Sequence, residues 1–295
     1  MDVDAILVVT NAAAGSSDQD KVNRALAVLR GRADVEIVRT GADGELDAAL
    51  DRRDGRVLVV AGGDGSLHLT ACRLYERAEL SDTVLGLLPL GTGNDFARGT
   101  RIPLDVEEAA RVIVAGLVRD VDLIVDDTDQ LVVNNVHLGI GADASRYGAR
   151  WKKRVGRAGY PIGVLQAAFA DPYRLRVTVD DEVVADGGHR LLEVSIGNGA
   201  TVGGGLALNP DADPDDGRLD VLVARASGAW RRVTYGVDLA RGRHPQNRDV
   251  VHRQATRVEV SGEAVHLSAD GEVAGPITHR EWRVLRNAMN VILPA

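Results

Sequence analysis

The chain has 295 residues, 45% of them hydrophobic, and a net charge of −8. That length suits two domains rather than one, and that hydrophobic share suits a folded protein with sizeable cores. The acidic balance argues against a general nucleic-acid binder, and no apolar run approaches the ~18 residues needed to cross a bilayer.

The start, Met1-Asp2-Val3-Asp4, is acidic and leads straight into an apolar strand, Ala5–Thr10. No basic segment precedes it, so no secretory leader is expected. A small-residue loop follows at 11–17, then a helix over Asp20–Leu29 with Val22, Ala25, Leu26 and Leu29 on one face. Val35–Val38 is a second strand, ending at Thr40, and Leu46–Leu50 is helical. Val57–Ala61 is a third strand and runs into Gly62-Gly63-Asp64-Gly65-Ser66. The helical pattern Ser66–Arg77 follows, with Leu67, Thr70, Ala71 and Leu74 inward. Cys72 in this helix is the only cysteine, which excludes an intrachain disulfide and a thiolate metal cluster. A fourth strand, Val84–Leu88, leads into Pro89-Leu90-Gly91-Thr92-Gly93-Asn94-Asp95-Phe96-Ala97-Arg98. Asp105–Val118 reads as one helix, with Ala109, Val112, Ile113 and Leu117 inward.

Alternating strands and helices with continuous apolar strands imply a mainly parallel sheet covered on both faces. Ligands in such sheets sit at the carboxyl ends of the strands, where the loops at 11–17, 62–66 and 89–95 converge. A strand, a glycine turn and a helix N-terminus make an anion site, because the glycines admit close backbone approach and the first helical amides point at the ligand. No Gly-Lys pair occurs anywhere, so no Walker lysine is available. Amides alone neutralise a triphosphate poorly. A divalent ion must therefore supply charge, and Asp64 is the carboxylate placed to hold it, directly or through water. Read alone, Asp64 is equally a turn aspartate that caps a helix.

After about residue 120 the period becomes two. Leu175, Val177 and Val179 alternate with polar residues, as do Leu192, Val194 and Ile196, then Val258 with Val260 and Val265 with Leu267. Turn signals separate the runs: Asp180-Asp181, Asp186-Gly187-Gly188, Ser261-Gly262 and Asp270-Gly271. The expected architecture is an α/β nucleotide-binding domain over 1–120 and an antiparallel, β-sandwich-like domain over 121–295. The last strand is a candidate to return to the first domain. The cleft between two such domains is the default ligand site.

The two glycine loops together resemble the catalytic domain of the diacylglycerol kinase family, which includes bacterial soluble lipid kinases and sphingosine kinases and is distantly related to NAD kinases. Asn11 to Gly15 resembles the family's first phosphate loop, with Ala12 in place of proline. Gly139-Ile140-Gly141-Ala142-Asp143-Ala144 resembles the segment that opens the second domain. Asp215-Asp216-Gly217-Arg218-Leu219-Asp220 resembles an acidic turn, and Asp270-Gly271-Glu272 a late catalytic turn. The order and spacing of these segments run over nearly the whole chain.

The resemblance implies ATP in the first domain, Mg²⁺, and a lipid hydroxyl as acceptor, with diacylglycerol the leading substrate and phosphatidic acid the product. It implies nucleotide contacts at Asn11, Thr40, Gly62, Gly63, Asp64, Gly65, Ser66, Leu67, His68, Gly91 and Thr92, with Ser66 and His68 standing where threonine and asparagine are commoner. Asn94 and Asp95 read as contacts to phosphate, Mg²⁺ or the acceptor hydroxyl, and otherwise as a helix cap. Arg98 pairs with a phosphate oxygen or with a neighbouring carboxylate. The resemblance makes Glu272 the general base and Asp64 and Asp95 catalytic carboxylates. It also implies a structural Mg²⁺ held by the Asp216 side chain and the carbonyls of Asp213 and Arg218. The run is not an EF-hand, because Asp216 stands at the sixth place, where glycine is needed, and Leu222 at the twelfth, where a bidentate Glu is needed.

A basic stretch of Arg146, Arg150, Lys152, Lys153, Arg154 and Arg157 carries Tyr147, Trp151 and Tyr160 between its charges. It is either a solvated face or a contact for anionic headgroups. The segment Trp230–Val237 has a weak apolar face that packs on its own domain or touches a membrane. A cytosolic protein with peripheral membrane contact is expected. The rival readings are a kinase for a sphingoid base, ceramide or polyprenol-like alcohol, and a regulator without turnover. NAD kinases usually carry Asn-Glu where Asn94-Asp95 stands here.

Overall fold

The computed structural model describes residues 1, 3–11, 16–42, 44–140, 142, 172–225 and 228–295. Its helices are α1 (Ser16–Arg30), α2 (Glu45–Asp51), α3 (Asp64–Glu76), α4 (Asp95–Gly99), α5 (Val106–Ala115) and α6 (Gly228–Ala240). Its strands are β1 (Ala5–Asn11), β2 (Asp34–Thr40), β3 (Val57–Gly62), β4 (Val84–Pro89), β5 (Val118–Asp126), β6 (Leu131–Val132), β7 (Asn135–Gly139) and β8 (Tyr173–Val179). They continue with β9 (Glu182–Gly197), β10 (Thr201–Val202), β11 (Leu206–Ala207), β12 (Leu219–Arg225), β13 (Val250–Ala255), β14 (Arg257–Ala269) and β15 (Glu272–Ile292). Two compact units result, Met1–Leu123 with Leu285–Ala295, and Ile124–Val284.

In the first unit β1 pairs in parallel with β2 and β3, β3 with β4, and β4 with Asn290 and Val291 of β15. All six residues of β3 are buried. A continuous Val/Leu run is what a strand covered on both faces requires. The register fixes the functional edge. Asn11 pairs with Thr40, Thr10 with Ala61, and Gly62 with Pro89. Because every pairing is parallel, these four strand ends share one edge of the sheet. Helix α1 buries Val22, Ala25, Leu26 and Leu29 and packs on α5. Asp105 caps α5, its Oδ1 accepting from Glu107 N (3.0 Å) and Glu108 N (3.1 Å). That helix is shorter than the periodicity suggests. It ends at Ala115, Gly116 takes a left-handed φ of +67°, and Leu117, expected inward, is 40% exposed.

The second unit is antiparallel. β12 pairs with β13 and β9, β7 with β9 and β14, β8 with β9 and β14, and β14 with β15. β9 and β14 are long strands that serve two layers. Glu182–Leu191 of β9 pairs with β8, while Glu193–Gly197 pairs with β7 and β12. The alternating residues Leu175, Val177, Val179, Val194, Ile196, Val258, Val260, Val265 and Leu267 meet in one core with Trp282. Each fully buried side chain of this kind contributes about 1.5–3 kcal/mol.

Helix α6 lies over a smaller cluster of Leu192, Ala224 and Tyr235. There Tyr235 Oη donates to Glu193 Oε2 at 2.8 Å. Burial pushes the Glu193 carboxyl up to about 7, against the lowering effect of the Tyr235 bond. The folded protein therefore holds this proton while the unfolded chain has released it, so stability falls as pH rises from 4.5 towards 7. Burial acts in the opposite direction on His137, lowering it to about 4, so its imidazole costs stability as pH falls. Comparing Glu193→Gln with wild type at each pH removes the histidine contribution. Denaturant melts should give equal stabilities at pH 4 and a variant about 3 kcal/mol more stable at pH 8.

Candidate active site

The glycine loops after β3 and β4 are knitted together at the shared strand edge. Leu90 N donates to Gly62 O at 3.0 Å. A Cβ on Gly91 would lie 2.6 Å from Gly63 Cα and 2.8 Å from Asn94 Oδ1. Only two glycines let the backbones cross this closely. Asn94 then closes its own loop: its Oδ1 accepts from Gly91 N at 2.9 Å and its Nδ2 donates to Gly91 O at 2.8 Å. Its φ is +52°, a conformation that asparagine tolerates. Gly91→Ala should destabilise the protein by about 1–3 kcal/mol through overpacking, read as a lowered thermal midpoint.

Asp64 is the first residue of α3, and its carboxylate reaches across to the other loop. Oδ1 accepts from Phe96 N at 3.0 Å, and the backbone of Asp95 also bonds to this carboxyl. Asp64 thus caps the start of α4, while also bonding its own backbone amide at the start of α3. Burial raises its pKa, the Phe96 and Asp95 amides oppose this, and the Asp95 charge raises it further. Two neighbouring carboxylates in a half-buried site, one held above its ordinary range, are an electrostatic fit for a dication.

The other nucleotide candidates sit around this core. Ser66 lies under Gly62, where a Cβ on the glycine would meet the serine Cβ and Oγ at 2.5 Å. Gly65 is exposed, with open space on its Cβ side. Leu67 is buried, so only its backbone can face a ligand. The His68 ring stands 3.5 Å from Cys72 Sγ. Asn11 and Thr92 are exposed and Thr40 half-buried. Arg98 folds back, its Nε donating to Gly93 O at 3.1 Å. The sequence reading passed over Asp122, a buried carboxylate of β5 whose Oδ1 accepts from Asn287 N at 2.8 Å. An aspartate set between apolar Val121 and Leu123-Ile124-Val125 was its signal.

Glu272 belongs to the second unit. It follows a two-residue hairpin turn, Asp270-Gly271, with φ of +46° and +87°, and pairs with Ala269. Positive φ at both central residues is the hairpin turn that matches strand twist. The turn is anchored: the Asp270 carboxylate accepts from Val133 N (2.6 Å), Asn134 N (2.8 Å) and Asn135 N (3.1 Å). Glu272 itself is exposed at the end of this braced hairpin. Asp270→Ala would leave three part-buried amides without their acceptor. It should lower unfolding free energy by about 2–4 kcal/mol, measured by urea titration.

The acidic turn is compact. Asp216 Oδ1 accepts from Arg218 N at 2.8 Å, Asp216 N donates to Asp213 O at 3.4 Å, and Gln254 Nε2 donates to Asp216 Oδ2 at 3.4 Å. Nearby, His252 Nε2 lies 2.7 Å from Oδ1 of buried Asp220. Among the described residues no group of three or more His, Cys, Asp or Glu side chains is placed to hold a metal. Residues 12–15 of the loop at 11–15, residues 141, 143 and 144 of the segment 139–144, and the whole basic stretch 146–157 with Trp151 and Tyr160 lie outside the described residues.

Residues 5–125 match the family model described as the diacylglycerol kinase catalytic domain. Residues 134–293 match that of the YegS C-terminal NAD kinase beta sandwich-like domain. A Xanthomonas campestris protein named probable lipid kinase YegS-like is 32% identical over 282 residues, covering 91% of this chain and 89% of its own. A Mycobacterium tuberculosis protein named diacylglycerol kinase is 28% identical over 261 residues, covering 84% and 80%. Among solved structures, a diacylglycerol kinase from Bacillus anthracis superposes with a TM-score of 0.75 at 23% identity, covering 99% and 97%. The chain belongs to the diacylglycerol kinase catalytic-domain family, with a second domain of the YegS type. Lipid kinase is the class of activity that goes with this membership.

Proposed function

We propose that this protein transfers the γ-phosphoryl group of ATP to the free hydroxyl of diacylglycerol, giving phosphatidic acid, and that it uses Mg²⁺ to do so. The observation that carries the reading is the locked pair of glycine loops, with the Asp64 carboxylate tied to the start of α4. A cradle of backbone amides at parallel strand ends suits a polyphosphate. Asp64 and Asp95 are the residues that would hold the cation, which supplies the positive charge that a lysine-free loop lacks. Two carboxylates would suit Mg²⁺, which is commonly bound through one or two carboxylates together with substrate phosphates.

In the reaction the acceptor oxygen forms a bond to the γ-phosphorus. The bond from that phosphorus to the bridging oxygen breaks, and ADP leaves with the electron pair. Glu272 takes the hydroxyl proton as attack proceeds, the role of a general base. The rest of the catalysis is positioning and charge stabilisation by the loop amides. Asp216, with the carbonyls of Asp213 and Arg218, would hold a second, structural Mg²⁺, which would stiffen the turn before β12.

No helix among the described residues is long and apolar enough to cross a membrane. Because the proposed acceptor is a membrane lipid, this reading has the protein meet it by peripheral contact, at the inner face of the membrane. The test is phosphoryl transfer from ATP to a panel of lipid alcohols and NAD, with and without Mg²⁺. Metal-dependent phosphatidic acid formation is expected. Transfer to a sphingoid base, ceramide or polyprenol-like alcohol alone would reassign the substrate, and transfer to none would favour a regulator.

A further inference from the structure

We propose that helix α6 and the arginines gathered at its N-terminal end form a docking surface for an anionic lipid bilayer. Trp230 is 83% exposed, whereas Tyr235, five residues along the helix, is 6% exposed. Tyr235 is pinned by its bond to Glu193 and by Leu192 and Ala224, and this sets the rotation of the helix. At about 100° per residue, Trp230 points some 140° away from Tyr235. Thr234 and Val237 fall on the Trp230 side, and both are exposed.

The charge around this stripe is positive. The Asp249 carboxylate accepts from Arg231 Nη1 at 2.7 Å, and its carbonyl accepts from Arg225 N at 2.9 Å. Arg248 precedes it in the chain, so three exposed arginines are attached close to one aspartate, and the Arg231 guanidinium is the one paired with it. Between residues 225 and 249 six arginines stand against two aspartates, in a chain whose net charge is −8. An exposed indole beside guanidinium groups matches a bilayer interface. The ring suits the headgroup depth, and the arginines suit lipid phosphates. A symmetric contact with a second copy fits poorly, because it would set this arginine cluster against itself.

The experiment is co-sedimentation with vesicles of phosphatidylcholine, with and without roughly one third phosphatidylglycerol. It uses no catalysis, so its outcome is separate from that of the kinase reading. Wild type should bind the anionic vesicles and leave the neutral ones largely unbound. R225Q/R248Q should bind about 25-fold more weakly, roughly fivefold per arginine. W230A should bind about tenfold or more weakly. Brominated lipids in the anionic vesicles should quench emission in wild type and far less in W230A, which decides the matter even if a variant folds poorly. Absence of binding to anionic vesicles, or unchanged binding in both variants, would overturn the proposal. So would a change in oligomeric state in W230A with vesicle binding intact.

Discussion

Asp64→Asn should lower phosphoryl transfer by about 10²–10³-fold, because it removes one of the two carboxylates proposed to hold the cation while leaving the loop in place. The stability of the ligand-free variant should change little, or rise. Asparagine Oδ1 can still accept from Phe96 N, and the variant no longer carries a half-buried carboxylate that burial holds above its ordinary pKa. The sign follows from linkage: a raised carboxyl pKa costs stability as pH rises, and the amide removes that cost. Thermal melts with and without Mg²⁺-ATP separate the roles. Wild type should gain stability from the ligand by mass action, and the variant should gain much less. Equal gains with full turnover would show that Asp64 is only a helix cap.

Glu272→Gln should reduce kcat by about 10²–10⁴-fold, the usual contribution of a positioned general base. The side chain is exposed at a hairpin end braced by Asp270, so stability should stay within about 0.5 kcal/mol of wild type. ATP affinity, measured by calorimetry without the lipid, should be unchanged. A loss confined to ATP affinity would remove the base role and make Glu272 a nucleotide contact. The contrast between the two variants is informative: Asp64→Asn should weaken the nucleotide–metal complex, Glu272→Gln the chemical step.

The strand ends were legible because these glycine loops close an apolar run and open a helical pattern, and parallel register then brings Asn11, Thr40, Gly62 and Pro89 to a single edge. The period of two after residue 120 likewise identified the antiparallel unit, and Asp270-Gly271 its turn. What stayed hidden depends on neighbours far apart in sequence. Asp64 caps α4 from 32 residues away, which no local pattern encodes, and α4 itself is too short to show a helical period. Glu193 and Tyr235 are 42 residues apart, so no local pattern shows that they meet. Asn94 reads as a ligand contact or a helix cap, and the bonds of both its amide atoms to Gly91 add a loop-closing part that its sequence neighbours do not encode. Leu117 was assigned to a helix that Gly116 had already ended.

The account turns on where the triphosphate goes. Crystals soaked with ATP and magnesium measure this directly. The expected density has the phosphates along the amides of Gly62–Ser66 and Gly91–Thr92, with a cation on Asp64. Phosphates lodged at any other part of the chain, or a cation that leaves Asp64 untouched, would contradict it.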